Sequence, residues 1–289
     1  MTRFYMWRAG NMRDHRPFPC AIIYLSALMG LLIVAAGAGA QTSRSARSYY
    51  DRGASLFARG NLDGAIADFD AAIAFDPRFS EAYNNRAVAR YTKGEIEAAI
   101  IDFDRAIETR PDYAEAYANR GAAYAAKGDL DRAILDYTSA LRIDPRSARA
   151  YYNRANARQD RGELGEAISD YDRAIEIDPG NAAYYYNRGL ARQRNGRIDE
   201  AISDYDRAVS LDSELALAYN NRGNARQIKG ELSRAIADYD RAISLDSELA
   251  LAFANRGLAL FAQGKAKEAR RDFDRAVILS PGLRPLIEQ

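Results

Sequence analysis

One chemically capable residue recurs along this chain at a fixed interval. Asn85, Asn119, Asn153, Asn187, Asn221 and Asn255 are each 34 residues apart. A carboxamide offers two N–H donors and one acceptor and does not titrate, so a column of asparagines is suited to binding and not to proton transfer. Tyrosines form a second candidate set: Tyr50, Tyr91, Tyr152 and Tyr186. Exposed Tyr supplies apolar contact area at a small rotamer cost. Two charged series keep the same interval. Arg occurs at 52, 86, 120, 154, 188, 222 and 256, and Asp at 68, 102, 136, 170, 204, 238 and 272. Runs such as Asp102-Phe103-Asp104 suggest a metal site at first sight. On a helix, residues i and i+2 do not face each other, so we read these carboxylates as solvated or ion-paired.

What is missing narrows the chemistry further. The only His (His15) and the only Cys (Cys20) both precede Gln41. The rest of the chain therefore has no side chain that titrates near neutrality unaided, no thiolate nucleophile and no thiolate zinc site. No enzyme, cofactor or metal is expected. Lys and Arg total 41 against 40 Asp and Glu. The first forty residues hold four of the bases (Arg3, Arg8, Arg13, Arg16) and one of the acids (Asp14), leaving the remainder slightly acidic. That balance argues against a nucleic-acid partner, which needs a basic excess.

The interval of 34 also organises the backbone. Pro77, Pro111, Pro145 and Pro179 are spaced by it, Ser213 and Ser247 fill the next two steps, and Pro281 follows. A fixed period of this size marks a solenoid. The units run 46–79, 80–113, 114–147, 148–181, 182–215, 216–249 and 250–283. In each, an aromatic at position 4 and Gly or Ala at position 8 precede a Gly at position 15, which stops a first helix. The second helix carries Ala at 20, an aromatic at 24 and Ala at 27. Positions 17, 20, 21, 24, 27 and 28 form one apolar stripe at 3.6 residues per turn. Arg at position 7 and Asp at position 23 border the two apolar faces, which predicts structural ion pairs between the helices. Units five and six share Leu-Asp-Ser-Glu-Leu-Ala-Leu-Ala, from Leu211 and from Leu245, a sign of internal duplication.

In unit three the run Tyr117, Gly121, Tyr124, Gly128, Ala133, Tyr137, Ala140, Pro145 resembles the tetratricopeptide repeat (TPR) family, and the resemblance recurs over 46–283. It implies an all-α fold, a right-handed α-solenoid of seven helix-turn-helix units, with the first helices lining a concave groove. It also implies that positions 2, 6, 9 and 13, with 5 and 12 beside them, face that groove. The asparagines at position 6 then resemble the asparagine ladder of O-linked N-acetylglucosamine transferase superhelices, which holds substrate chains. The alternative is that each Asn bonds the backbone of a neighbouring unit. Phe57 and Phe261 join the four tyrosines as groove neighbours, with ordinary packing between first helices as the other reading. The family's carboxylate clamp is matched only by Asn156 and Asn187. Its cationic places hold Tyr152, Leu217 and Asn221, so capture of a peptide C-terminus by that clamp is not expected.

Outside the array, residues 41–45 form a short linker and 284–289 a tail. Unit seven reads as its own cap: position 21 is Ile in six units but Arg270 here, and position 17 is Ala266 in place of Leu or Ile. Residues 1–40 read as a signal peptide, with an apolar run from Ala21 to Ala36 behind a basic leader; Met12 offers a shorter start. An uncleaved anchor is the alternative, because with its Ala/Gly tail the run approaches the ~20 residues of a spanning helix. Either way the repeats lie outside the cytoplasm, periplasmic or secreted, or held at the inner membrane. The expected function is an exported scaffold whose groove binds a protein or peptide partner. A self-associating envelope module is the alternative. Ala38-Gly39-Ala40 predicts cleavage before Gln41. Mass spectrometry of the exported protein should find Gln41 as its first residue; a membrane-bound species retaining 21–36 would establish an anchor instead.

Overall fold

The computed structural model describes residues 44–287; the signal-peptide reading and part of the linker lie outside the described residues. Helix α1 is described from residue 44 to 58. It is followed by α2 (Leu62–Phe75), α3 (Ser80–Lys93), α4 (Ile96–Thr109), α5 (Ala114–Ala126), α6 (Leu130–Ile143) and α7 (Ala148–Asp160). Then come α8 (Leu164–Ile177), α9 (Ala182–Arg194), α10 (Ile198–Leu211), α11 (Ala216–Ile228), α12 (Leu232–Leu245), α13 (Ala250–Ala262) and α14 (Ala266–Leu279). A single 3-10 turn (Pro281–Leu283) leads into the short α15 (Arg284–Ile287). There is no strand among the described residues. Odd-numbered helices up to α13 are the first helices of the seven units and even-numbered ones the second.

The turn inside each unit depends on its glycine. Gly60, Gly94, Gly128, Gly162, Gly196, Gly230 and Gly264 all have φ between +78° and +87°, where a Cβ is disfavoured. Close packing of the pair depends on position 8. A Cβ on Gly121 would lie 3.0 Å from the Tyr137 ring, and one on Gly189 only 2.8 Å from Tyr205. The core is correspondingly a line of small and aromatic side chains, with Ala99, Phe103, Ala133, Tyr137, Ala167, Tyr171, Ala201 and Tyr205 all buried. Each helix packs on its chain neighbours, and successive first helices (α3, α5, α7, α9, α11, α13) also touch one another; no comparable set of contacts joins the second helices. The array therefore curves with the first helices on its inner side. No helix among the described residues is long and apolar enough to cross a membrane.

Charge ties the layers together. Arg188 donates from Nε and Nη2 to the two carboxylate oxygens of Asp204 at 3.1 and 2.6 Å, within its own unit. Its Nη1 reaches Asp172 of the preceding unit at 2.6 Å. The same three-way tie recurs at Arg86, Arg120, Arg222 and Arg256. At Arg154 the preceding unit offers Thr138 in place of Asp. The Asp-x-Asp runs are thus divided: the first carboxylate serves its own unit's arginine and the second serves the next unit's. In units two, four, five and six the buried Asp also accepts from an Arg at position 11, as Asp170 does from both Arg154 and Arg158. In unit three that position is Tyr124, and Asp136 has Arg120 alone.

A further inter-unit pair joins positions 14 and 18, which sequence reading did not connect. Lys93 meets Asp63 at 2.7 Å, Lys127 meets Glu97 at 3.0 Å, Lys229 meets Asp199 at 2.5 Å, and Arg161 pairs with Asp131. Where the cation is lost the acid is lost too: Asn195 stands over Gly165, and Gln263 bonds Ser233.

At Asp136, burial pushes the carboxyl above its ordinary range, outweighing the pull of its Arg120 hydrogen bond. A raised folded-state pKa means that ionised Asp136 costs the fold stability at neutral pH, and acidification through that pKa removes the cost. We expect Asp170→Asn to strand two partly buried guanidinium groups and lower stability by about 2–3 kcal/mol. Asp136→Asn should cost clearly less. Denaturant midpoints of the two variants check this, and equal losses would contradict it.

Candidate functional site

The inner surface is built from positions 2, 6, 9 and 13 of the first helices. All six candidate asparagines sit there half-buried. Their amides do not bond a neighbouring backbone between units, as the alternative reading had it; five of them bond a neighbouring side chain. Asn85 Nδ2 donates to the Tyr50 hydroxyl at 2.9 Å, Asn187 to Tyr152 at 3.0 Å and Asn221 to Tyr186 at 3.0 Å. Asn119 and Asn255 donate to Asn84 at 3.1 Å and Asn220 at 3.0 Å. Each bond runs from position 6 of one unit to position 5 of the unit before. Asn153 is the exception, because position 5 of unit three is Ala118, which has no side-chain acceptor; Asn153 has no hydrogen-bond partner among the described residues.

The candidate tyrosines are wedges between units more than free contacts. The Tyr50 ring lies 4.9 Å from Phe79 and 5.8 Å from Phe69. Tyr152 sits 4.9 Å from Tyr184 and 5.9 Å from Tyr171, and Tyr186 6.2 Å from Tyr205. Burial raises the pKa of all three hydroxyls, so they stay protonated and can donate outward while accepting from asparagine. Tyr91 packs with Val88, Ile96 and Ile100 against Phe103. Phe57 is half-buried and Phe261 is exposed.

The asparagine anchoring leaves each amide with a group still open. Nδ2 of Asn85, Asn119, Asn221 and Asn255 makes a single bond, so one N–H remains. Asn187 uses both N–H groups, the second on the Ala183 carbonyl, and keeps its oxygen. Five of the six asparagines are therefore pre-oriented by the units themselves, with unpaired hydrogen-bonding capacity left over.

Sequence reading overlooked how the groove changes along its length. Position 2 is charged in units one to four (Arg47, Glu81, Glu115, Arg149) and then becomes Ala183, Leu217 and Leu251. Leu217, Ile228, Leu251, Leu258 and Phe261 are all exposed large apolar side chains on α11 and α13. One face at the C-terminal end of the groove is thus apolar, a feature that marks interaction surfaces when contiguous. The signal lay in positions 2, 9 and 13 read across units, not within one.

A single comparison separates strut from bystander. Asn187→Ala should cost about 0.5–1.5 kcal/mol, the net worth of the lost inter-unit bond. Asn153→Ala, with no bond to lose, should leave the melt unchanged or slightly raised, since Ala favours helix. Thermal melts of the two single variants decide it; a matching loss at Asn153 would show a partner there.

Comparison with known proteins agrees with this geometry. Residues 53–94, 89–128, 123–160, 155–196 and 228–264 match a family model described as TPR repeat. Residues 182–215 and 250–283 match models described as tetratricopeptide repeat. No curated protein matches the chain. Among solved structures, that of MamA is 28% identical, with a TM-score of 0.54 over 57% of this chain and 96% of its own. YrrB, described as a TPR protein with an unusual peptide-binding site, is 25% identical, with a TM-score of 0.54 over 62% and 92%. A tetratricopeptide repeat protein from Parabacteroides merdae, 20% identical, shares the fold with a TM-score of 0.63 over 85% of this chain and 98% of its own. With family models matching nearly every unit and the helix pairs packed as those models require, the chain belongs to the tetratricopeptide repeat family.

Proposed function

We propose that this protein is an exported interaction scaffold that holds an extended segment of a partner protein along its inner groove. The observation that carries the reading is the asparagine column: half-exposed amides at one residue in each of units two to seven, each with a hydrogen-bonding group left open. Five of the six are fixed by a bond to the unit before. Groups already held in place lose little freedom on binding, so their hydrogen bonds to a guest main chain count more fully. The apolar face formed by Leu217, Leu251 and Leu258 supports a polypeptide guest, which can bring both main-chain amides and apolar side chains. The peptide-binding site ascribed to YrrB is in keeping with such a use of the fold. Export rests on the sequence of residues 1–40.

A photo-crosslinking residue placed at Asn153 or Leu258, and separately at the exposed outer-face Leu135, tests the reading in intact cells. Adducts to another protein are expected from the first two positions and not from Leu135. Adducts formed only with a second copy of the chain would favour the self-associating module, and adducts from Leu135 alone would remove the groove from the argument.

A further inference from the structure

Two pairing rules run through the array, and both break at the same unit. Where position 24 is Tyr, position 12 of the same unit supplies an acceptor: Tyr205 donates to Gln193 at 2.8 Å and Tyr239 to Gln227 at 2.9 Å. Tyr171 donates to Asn156 at 2.5 Å, with Gln159 at 3.3 Å. Where position 24 is Phe (Phe69, Phe103, Phe273), position 12 is aromatic instead: Phe57, Tyr91, Phe261. Unit three alone has Tyr137 opposite Ala125. Its hydroxyl forms no hydrogen bond among the described residues and is not among the fully buried unpaired atoms, so the small exposed part of Tyr137, 2% of the residue, leaves room for it at the surface. The second rule is the position 5 to position 6 strut, which fails between Ala118 and Asn153.

The two failures adjoin. In units four and five a Tyr at position 5 packs beside the position 24 ring, at 5.9 Å for Tyr152 and Tyr171 and 6.2 Å for Tyr186 and Tyr205. Its hydroxyl then accepts from the next unit's asparagine. Ala118 in that place takes away both the ring and the acceptor, between Tyr137 on one side and Asn153 on the other. Ala118, Ala125 and Ala150 belong to the same packed cluster as Tyr137. The sibling hydroxyls end against positions 9 and 12, so that of Tyr137 is directed at Ala122 and Ala125, toward the groove. The charge of Arg149 acts on Tyr137, and its Nη2 donates to Asn119 Oδ1 at 3.1 Å. Tyr91 also lies close enough to act on Tyr137. The junction thus holds a phenol hydroxyl, a carboxamide that makes no bond and the guanidinium of Arg149, which is one turn from Asn153 on α7, a set whose only formal charge is positive.

We infer that the junction of units three and four is a subsite for a carboxylate side chain, Glu or Asp, carried by the segment in the groove. Its oxygens take the place of the missing Gln and Tyr acceptors. They accept from the Tyr137 hydroxyl and the Asn153 amide, with Arg149 balancing the charge. A carboxylate satisfies all three donors at once, whereas Gln in the guest matches the first two only. Glu81 is occupied by Arg110 at 2.7 Å, so one of the groove's own acids in the preceding units is already paired.

This inference rests on the proposed groove function, and its test keeps the two apart. Fluorescently labelled Ala/Ser-rich peptides with amidated C-termini carry one central Glu, Gln or Ala; a fourth lacks Glu but has a free C-terminal carboxylate. Anisotropy titrations use the full chain. The Glu peptide is expected to bind about tenfold tighter than the Ala peptide and several-fold tighter than the Gln peptide. That preference should vanish in Tyr137→Phe and in Ala125→Gln, which supplies the sibling acceptor from within and should melt no earlier than the parent. Equal binding of the Glu and Ala peptides overturns the subsite while leaving the groove reading standing. Preference for the free C-terminus over the internal Glu overturns it also, in favour of a terminal carboxylate. If none of the peptides binds, both readings fall. A Glu preference that survives in both variants places the carboxylate elsewhere.

Discussion

An arginine at one position of every unit sets the geometry on which the rest relies. Through its forked guanidinium it fixes the angle of its own helix pair against a buried aspartate. Through its remaining nitrogen it holds, in six of the seven units, the second helix of the unit before. Paired charges at a half-buried border contribute less to net stability than to register, because desolvation offsets much of their attraction. In a solenoid that trade is useful. The apolar contacts are small alanines and a few aromatic rings, which would tolerate sliding. The carboxylate–guanidinium fork does not, since a bidentate bond has one register.

The groove inherits its precision from that register. An asparagine can reach the tyrosine or asparagine of the preceding unit only if successive first helices hold a constant offset. The inner surface is therefore a ruled surface: one amide in each of units two to seven, five of them tied to the unit before, with apolar side chains gathering toward α13. Under the proposed use of the groove, binding strength would come from many modest bonds whose entropy was largely lost on folding, and discrimination from the places where the ruling is interrupted.

Contacts within a unit were legible in the sequence because they repeat with the helix. The positive-φ glycines, the small residue beneath each ring and the Arg-to-Asp tie all follow from spacing alone. Contacts between units were less so. The reach from Asn187 to Tyr152, or from Lys93 to Asp63, spans different helices whose relative offset is a property of the superhelix and not of any local period. Even so, a trace was there. Asn195 over Gly165 shows cation and acid vanishing together, and the match of Gln159, Gln193 and Gln227 with Tyr171, Tyr205 and Tyr239 shows a donor choosing its acceptor. Comparing units with one another, instead of each with an average unit, exposes both.

The direction of the inter-unit bonds has a consequence for how such a chain changes length. Most inter-unit ties run from a donor in one unit back to an acceptor in its predecessor, so most internal units present donors behind and acceptors ahead. A unit copied in tandem brings its own donors and acceptors with it, and the octapeptide that begins at Leu211 and again at Leu245, each time crossing a unit boundary, is a sign of such duplication. The C-terminal end is different. Lys267 stands where a following unit's cation would look for an acid, and Arg270 stands where it would look for isoleucine. Units that keep the shared donors and acceptors can be copied within the array, whereas the exposed Lys267 and Arg270 of unit seven do not offer the partners that the other units do.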